Sequence, residues 1–227
     1  MWEALRELVD RRDLLLELAS RDLRIRYKQT LLGAAWAIFT PLVLMVVFTQ
    51  LFTRVARIDV GDAPYSIYVY CGLLPWQFFS ASVKGAVESL TRNSRLVTKI
   101  YMPREVFPLS QIVSAGVDFS VASFVLAGQM VHYGVRPGAM LLLLPVVLAV
   151  QLLFTSGVCL LASMGNLFFR DVKYLSEVAL MLWMFATSVV YPVPTDGRWG
   201  WLLALNPMTP IIDSYRQILL YNAAPDV

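Results

Sequence analysis

The chain has 227 residues, of which 58% are hydrophobic and 15% are charged. Soluble domains contain about 45–50% hydrophobic and about 25% charged residues, so this composition is typical of a membrane protein. The formal net charge of +3 is too small and too scattered to indicate a nucleic-acid-binding protein, and an excess of Lys and Arg on cytoplasmic loops accounts for it.

The N-terminal segment is polar and mixed in charge. Residues 1–28 contain seven Lys or Arg and six Asp or Glu, and they lack the apolar core of a secretory signal peptide. Apolar residues at helical spacing predict an amphipathic helix over residues 1–22 that lies along the membrane interface. Arg12 falls on the apolar arc, from which its long side chain can reach the lipid headgroups. A helix packed on another protein would show the same pattern.

Five long apolar stretches follow. Each predicts a membrane-spanning helix, because a hydrocarbon core of roughly 30 Å requires about 20 apolar residues in helical form. An uncharged run at residues 199–212 is shorter and contains Pro207 and Pro210, so it predicts a re-entrant segment over about 195–221. The sequence therefore predicts an all-α polytopic membrane domain over 23–227, with spans at about 31–53, 63–83, 106–131, 139–164 and 178–193.

The Lys and Arg residues are distributed unequally between the predicted faces. Residues 1–28, 84–104 and 170–173 contain 14 of them, and the opposite loops contain five. The excess marks the cytoplasmic side, so the N-terminus is predicted to be cytoplasmic. Five crossings leave Val227 outside, and we expect a sixth closing helix of about 30 further residues that this sequence does not include.

The sequence lacks the usual parts of an enzyme. It contains no G-x-x-x-x-G-K-[S/T] loop for nucleotide phosphates, and His132 is its only histidine. Cys71 and Cys159 fall within predicted spans, where they are interpreted as apolar packing residues. Neither a metal site nor a catalytic triad is predicted. The alternative from another class of function is a membrane-embedded scaffold or a glycan-processing enzyme. Such an enzyme would show clustered carboxylates at the membrane surface, and Asp59 with Asp62 is a weak cluster.

Four loop strings occur in a characteristic order. They are RDLRIRYKQTLLG (21–33, followed by Trp36 and the TPL of 40–42), NSRLVTKIYMPREVFPLS (93–110), FFRDVKYL (168–175) and LNPMTPIIDSYRQILL (205–220). Together they resemble the transmembrane subunits of ABC-2 type polysaccharide exporters, which move O-antigen, capsule or teichoic-acid chains.

The resemblance implies a fold and a set of partners. It implies a six-helix permease that forms a homodimer in the bacterial cytoplasmic membrane, beside a separate nucleotide-binding ABC ATPase that holds ATP and magnesium. The permease itself would need no cofactor, and its cargo would be a lipid-linked polysaccharide used in lipopolysaccharide biosynthesis. An ABC-2 exporter of drugs or lipids is the main alternative.

The loop between the second and third spans surrounds apolar residues with basic ones. This pattern predicts a short helix with an apolar anchor and a charged rim, which Pro103 ends. The resemblance implies that it is a coupling helix docked on the ATPase, with a second contact between the fourth and fifth spans. Alternatively, the basic residues of these loops only set the orientation of the chain in the membrane. The predicted coupling residues are Arg92, Arg95, Lys99, Tyr101, Pro103, Arg104, Arg170 and Asp171.

A sliding sugar polymer requires many weak contacts along its path. Aromatic faces provide them, because they stack on the apolar faces of sugar rings without a net charge. Packing in the core or in an interfacial belt is the alternative for each ring. The predicted channel-lining residues are Trp36, Phe39, Trp76, Trp183, Phe185 and Tyr191.

The re-entrant segment is a candidate gate. Broken backbone at membrane depth is tolerated only against protein or a water-filled cavity. The predicted gate residues are Asn206, Pro207, Asp213, Tyr215 and Arg216. The alternative is a structural plug with an Asp213–Arg216 ion pair at i,i+3 spacing.

Asp118 lies near the middle of the third predicted span. A charge there is costly, so the carboxylate must be paired or neutral. We favour a hydrogen-bonded role between helices over a proton relay.

Overall fold

The computed structural model describes residues 12–28, 30, 33–53, 63–94, 96, 103–192 and 205–225. These residues form helices, turns and short connections, and none of them is in a β-strand, which confirms the predicted all-α fold class. The helices are α1 (Arg12–Tyr27), α2 (Trp36–Leu51), α3 (Tyr65–Arg92), α4 (Val106–His132), α5 (Leu144–Phe168), α6 (Val172–Phe185) and α7 (Met208–Leu219), with 3₁₀ turns at Gly33–Ala35 and Ala139–Leu143.

Two of these helical segments are long and apolar enough to cross a bilayer. They are Val106–His132, with 27 residues, and Ala139–Phe168, with 30 residues. Both present large apolar side chains at the protein surface, including Phe124, Leu153 and Leu161. Such exposure suits contact with lipid and would be unfavourable in water. The apolar helix α2 has 16 residues, so the prediction of five spans stays a prediction.

The chain forms two compact units, each assembled from separated segments. The first unit comprises Met1–Ala35, Phe78–Asp118 and Leu153–Ala179. The second unit comprises Trp36–Gln77, Phe119–Leu152 and Leu180–Val227. Helix α3 contributes to both units, with its division at Gln77 and Phe78.

In the first unit, α1 packs on the protein's own helices. Leu18 of α1 is buried in one cluster with Leu90, Val106 and Phe107. Helix α1 continues to Tyr27, beyond the predicted end at residue 22, and residues 1–11 lie outside the described part of the chain. The apolar side of α1 thus serves intramolecular packing, and its predicted position along the membrane interface stays a prediction.

In the second unit, the first turns of α3 form the core. Ile67, Val69, Tyr70 and Leu73 are fully buried. The Tyr70 hydroxyl donates to the carbonyl oxygen of Ala122 at 3.1 Å, so the polar end of this side chain is paired in an apolar environment.

Helix α6 ends at Phe185, eight residues before the predicted end of the span at 178–193. Three of the carbonyl oxygens that follow, those of Ala186, Val189 and Val190, accept hydrogen bonds from side chains rather than from a continued helix. Asn206 donates to Ala186 at 2.9 Å, and Tyr65 donates to Val190 at 2.6 Å. Tertiary donors thus replace the helical hydrogen bonds, and the helix ends early.

Candidate functional site

Helix α7 is the described core of the predicted re-entrant segment. It has 12 residues, and Pro207 stands at its N-cap. At 1.5 Å per residue this helix is about 18 Å long, which is too short to cross a bilayer. Its apolar residues recur at helical spacing, so one side of the helix is buried. The buried apolar residues are Met208, Ile211, Ile212, Tyr215 and Ile218.

Arg216 of α7 is the buried centre of a polar cluster, because only 3% of its side chain is exposed. Its Nη1 lies 3.0 Å from Oδ1 of Asp213, and its Nη2 donates to the Val189 carbonyl at 2.7 Å. Its Nε donates to the Tyr68 carbonyl at 3.3 Å, and the guanidinium carbon lies 3.8 Å from the Tyr68 ring centroid. Ser188 also donates to Asp213 at 2.8 Å.

We call this cluster of Arg216, Asp213, Tyr68, Val189 and Ser188 the Arg216 lock. It joins α7 to α3 and to the turn that follows α6. A buried guanidinium requires such a set of acceptors, because a buried charge without partners is costly. The i,i+3 ion pair between Asp213 and Arg216, which belonged to the alternative of a structural plug, is present.

Gly72 makes the Arg216 lock possible. A Cβ atom at this position would lie 2.3 Å from Arg216 Nη2 and 2.6 Å from the Val189 carbonyl oxygen. Only a residue without a side chain allows this approach. Sequence reasoning missed Gly72, and the available signal was a glycine in the interior of an apolar helix.

Asn206 fixes the start of α7. Its Oδ1 accepts from Trp183 Nε1 at 2.8 Å and from the Met208 N–H at 3.1 Å. Its Nδ2 donates to the Ala186 carbonyl and, at 2.8 Å, to the Thr187 hydroxyl. The amide therefore bridges α7 and the end of α6.

Tyr215 anchors the middle of α7. Its hydroxyl donates to Gln151 Oε1 at 2.6 Å, and Gln151 Nε2 donates to the Pro75 carbonyl at 2.9 Å. The five predicted gate residues thus come together on α7 and its N-cap. Their contacts hold α7 in place in this conformation, and their role as a gate stays a prediction.

Five of the six predicted channel-lining aromatic residues divide into two groups. Trp76 is buried against Trp183, with the ring centroids 6.3 Å apart. Trp36 and Phe39 form an edge-to-face pair at 5.5 Å, and both rings are exposed, as is Phe185. The exposed rings can contact a sugar chain, a lipid or a second subunit, whereas Trp76 makes its contacts inside the subunit.

Tyr191 belongs with neither group. Its hydroxyl donates to the Phe185 carbonyl, and its ring lies 6.1 Å from the ring of Phe52. The side chain is half-buried, so these contacts fix its position in the turn after α6.

The predicted coupling region is described only in part. Arg95, Lys99 and Tyr101 lie outside the described residues. Pro103 and Arg104 accept the first backbone hydrogen bonds at the start of α4, from Val106 and Phe107 at 3.3 Å. These two residues thus form the entry to α4. Arg170 and Asp171 form the exposed turn between α5 and α6.

Glu88 connects both coupling regions and was missed by sequence reasoning. Its carboxylate accepts from Arg92 Nη2 at 2.8 Å and from Lys173 Nζ. The hydrogen bond from Lys173, and then that from Arg92, lowers the pKa of Glu88 below its usual value. The same contact with Glu88 raises the pKa of Lys173. We call these three residues the Glu88 bridge.

Asp118 pairs with the end of α1. Arg26 Nη1 lies 2.6 Å from Asp118 Oδ2, and the Tyr27 hydroxyl donates to Oδ1 at 2.6 Å. The interpretation of Asp118 as a hydrogen-bonded link between helices is therefore confirmed. Burial, followed by the hydrogen bond to Asp118, raises the pKa of Tyr27 to about 12, so the phenol remains a donor at neutral pH.

Two further polar contacts attach α1 in the first unit. Arg21 donates to Asn93 Oδ1 at 2.9 Å, and Gln111 donates to Asp22. Arg21, Asp22 and Arg26 at the end of α1 thus bind neighbouring segments of the first unit.

Comparison with known proteins identifies several relatives. The family model for ABC-2 type transporters matches residues 13–220. The chain is 35% identical over 229 residues to an O-antigen export system permease protein, RfbA, of Myxococcus xanthus, covering 100% of this chain and 87% of the relative. It is 30% identical over 210 residues to an RfbA of Klebsiella pneumoniae, with coverage of 92% and 80%. It is 21% identical over 206 residues to the polysialic acid transport protein KpsM of Escherichia coli, with coverage of 88% and 78%.

Proposed function

The chain belongs to the ABC-2 type transporter family, and on that premise we propose that it is the membrane subunit of an exporter of lipid-linked polysaccharide, of the O-antigen kind. The observation that carries this proposal is the 35% identity to an O-antigen export permease over the whole chain. The more distant similarity to a polysialic acid transport protein also points to a polysaccharide cargo. The subunit would act in the bacterial cytoplasmic membrane with its N-terminus in the cytoplasm.

The proposed exporter contains two copies of this chain and a separate ABC ATPase. The sequence has no phosphate-binding loop, so the ATPase subunit would supply ATP hydrolysis and hold the magnesium ion. Arg92, Arg104, Arg170 and Asp171 would contact it together with the predicted helix around Lys99. The Glu88 bridge supports this view, because it links the α3 end beside one coupling segment to the α6 start beside the other.

The proposed path for the polymer uses weak contacts. Trp36, Phe39 and Phe185 expose aromatic faces that could stack on sugar rings as the chain moves. Helix α7 would act as the gate. Opening would then require the Arg216 lock to break or to move as one body, because Arg216 ties α7 to α3 and to the turn after α6.

Reconstitution tests the proposed cargo. The full chain is co-purified with its ATPase subunit, placed in proteoliposomes and supplied with a lipid-linked glycan or with small hydrophobic compounds. We expect the glycan to stimulate ATP hydrolysis and to cross the membrane only when ATP is hydrolysed. Stimulation by small hydrophobic compounds alone would identify a drug or lipid exporter instead. Isolation of a monomer without an ATPase would contradict the proposed assembly.

Charge reversal tests the coupling role. Lys99→Glu combined with Arg104→Glu should abolish polymer-stimulated ATP hydrolysis while membrane insertion remains normal. Arg136→Glu is the matched control, because Arg136 is exposed and belongs to the predicted opposite face. Intact transport in the double variant would refute the coupling assignment.

A further inference from the structure

The first unit contains an open cavity of about 370 Å³ with an excess of positive charge. It is bordered by the end of α1, by the last turns of α3 and by the start of α6. Its lining includes four cations and two carboxylates, which are Arg26, Lys84, Arg92, Lys173, Glu88 and Glu177. The four lining cations exceed the two lining carboxylates by two charges, and Asp118, which pairs with Arg26, reduces this excess to one.

Small residues also line the cavity. They are Ala81 and Gly85 of α3 and Ser176 of α6, and Val87 is a further lining residue. These residues leave space between the charged groups. This arrangement suits a compact anionic group that enters between the two helices.

Three of the four cations already have acidic partners. Arg26 pairs with Asp118, while Arg92 and Lys173 pair with Glu88. Lys84 is exposed, and within the described part of the chain it makes no ion pair or side-chain hydrogen bond. Glu88 lies one turn beyond Lys84 on α3, but its carboxylate is occupied. Lys84 is thus the cation whose charge is available to a ligand.

The sequence positions of the residues that line the cavity indicate how deep the cavity lies in the membrane. Lys84 directly follows the predicted span at 63–83, and Glu177 directly precedes the predicted span at 178–193. Both belong to the predicted cytoplasmic face. Lipid phosphates lie at this boundary, and basic pockets between helices on the cytoplasmic side bind anionic headgroups.

We propose that this cavity binds the phosphate of an anionic membrane lipid in the cytoplasmic leaflet. Lys84 contacts the phosphate directly, as a point charge with three donors. Glu88 holds Arg92 and Lys173 at the edge of the cavity, where they add to the positive potential. The proposal depends on the membrane position of the chain and not on the exported cargo, so the two can fail separately.

Lipid retention tests this site. The complex of the full chain and its ATPase subunit is delipidated in detergent and mixed with equal amounts of phosphatidylglycerol and phosphatidylcholine. Native mass spectrometry then counts the bound lipids. We expect at least about fivefold preferential retention of phosphatidylglycerol, and a loss of about fivefold on Lys84→Gln, the effect of one basic residue near a membrane surface. Lys28→Gln is the matched control, because Lys28 is exposed and does not line the cavity.

A second variant separates the cavity from general charge attraction. Ala81→Phe fills the space without changing the charge, so it should lower phosphatidylglycerol retention as Lys84→Gln does. Unchanged retention in both variants, or equal retention of the two lipids by the wild type, would overturn the proposal. Complete displacement by about 10 mM inorganic phosphate would identify a soluble phosphate as the ligand and would also overturn the proposal. Displacement by polyprenyl diphosphate at a lower concentration than by phosphatidylglycerol would assign the cavity to the lipid carrier of the exported glycan and would overturn the proposal of a membrane lipid.

Discussion

The Arg216 lock and the Glu88 bridge both connect helices through charged side chains, but they differ in burial. The Arg216 side chain is 3% exposed and binds two backbone carbonyls, a carboxylate and an aromatic face. In the Glu88 bridge, Glu88, Arg92 and Lys173 are 29%, 54% and 41% exposed, and water competes with every contact. Because the Arg216 side chain is buried, we expect its contacts to stabilise the fold more than the exposed ion pairs of the Glu88 bridge do, although its partner Asp213 is itself 42% exposed.

The largest expected effect comes from the Arg216 lock. Arg216→Met keeps an apolar stem but removes the donors to Val189 and Tyr68 and the partner of Asp213. We expect a loss of about 3 kcal/mol in the free energy of unfolding, measured by SDS titration of the purified protein, because hydrogen bonds to charged groups contribute about 1.5–3 kcal/mol each. Arg136→Met, at an exposed arginine, should have little effect. Equal losses of unfolding free energy in Arg216→Met and Arg136→Met would contradict the expectation that the buried contacts of Arg216 stabilise the fold.

A substitution at Gly72 tests the same cluster, because it fills the space that Arg216 occupies. Gly72→Ala forces a methyl group against Arg216 and the Val189 carbonyl, so we expect a loss of about 1–3 kcal/mol in the same measurement. Gly128→Ala is the control, because a Cβ atom at Gly128 meets nothing within 4 Å. The cost of Gly72→Ala should decrease in an Arg216→Met background. Full additivity of the two changes would show that the contact with Arg216 is not the cause.

The sequence predicts features that depend on local periodicity. Helices α4 and α5 follow from the length of their apolar runs, and the Asp213–Arg216 pair follows from its i,i+3 spacing on a helix. These features need no knowledge of how distant segments pack. They could therefore be predicted before any contact was known.

Features that depend on distant segments could not be predicted. The approach of Arg216 to Gly72 joins residues 144 positions apart, and the contact between Glu88 and Lys173 joins residues 85 positions apart. Helix α6 ends at Phe185 within an apolar run because Asn206 and Arg216 bind the carbonyls beyond it. The apolar pattern continues past that point, so only the tertiary donors reveal the end of the helix.

The Asp118 side chain is 22% exposed, so its burial is intermediate between that of Arg216 and that of the Glu88 bridge. Asp118→Asn removes the charge that Arg26 faces and weakens the bond from Tyr27, so we expect a loss of about 1–2 kcal/mol. Limited proteolysis after α1 should also become faster, because the end of the helix is released. Glu105→Gln is the control at an exposed carboxylate. Unchanged proteolysis and stability in Asp118→Asn would show that α1 is held by its apolar contacts alone.

The smallest expected effect comes from the Glu88 bridge. Glu88→Gln should reduce stability by less than about a third of the Arg216→Met effect, because exposed ion pairs contribute little. Since the pKa of Glu88 is lowered by Lys173 and Arg92, its contribution is complete above the usual Glu range and is lost only as the pH falls through the lowered pKa. Since the pKa of Lys173 is raised, its contribution is lost only as the pH rises through that raised value.

The difference between wild type and Glu88→Gln should therefore stay constant between about pH 6 and pH 9. It should disappear in about 1 M salt, where the screening length is about 3 Å, while the effect of Arg216→Met persists because buried pairs are screened less. A salt-resistant loss in Glu88→Gln as large as that of Arg216→Met would mean that Glu88 is shielded from water in the proposed assembly. In that assembly, the ATPase or a second copy of the chain would then have to cover the Glu88 bridge, because the isolated subunit leaves it exposed.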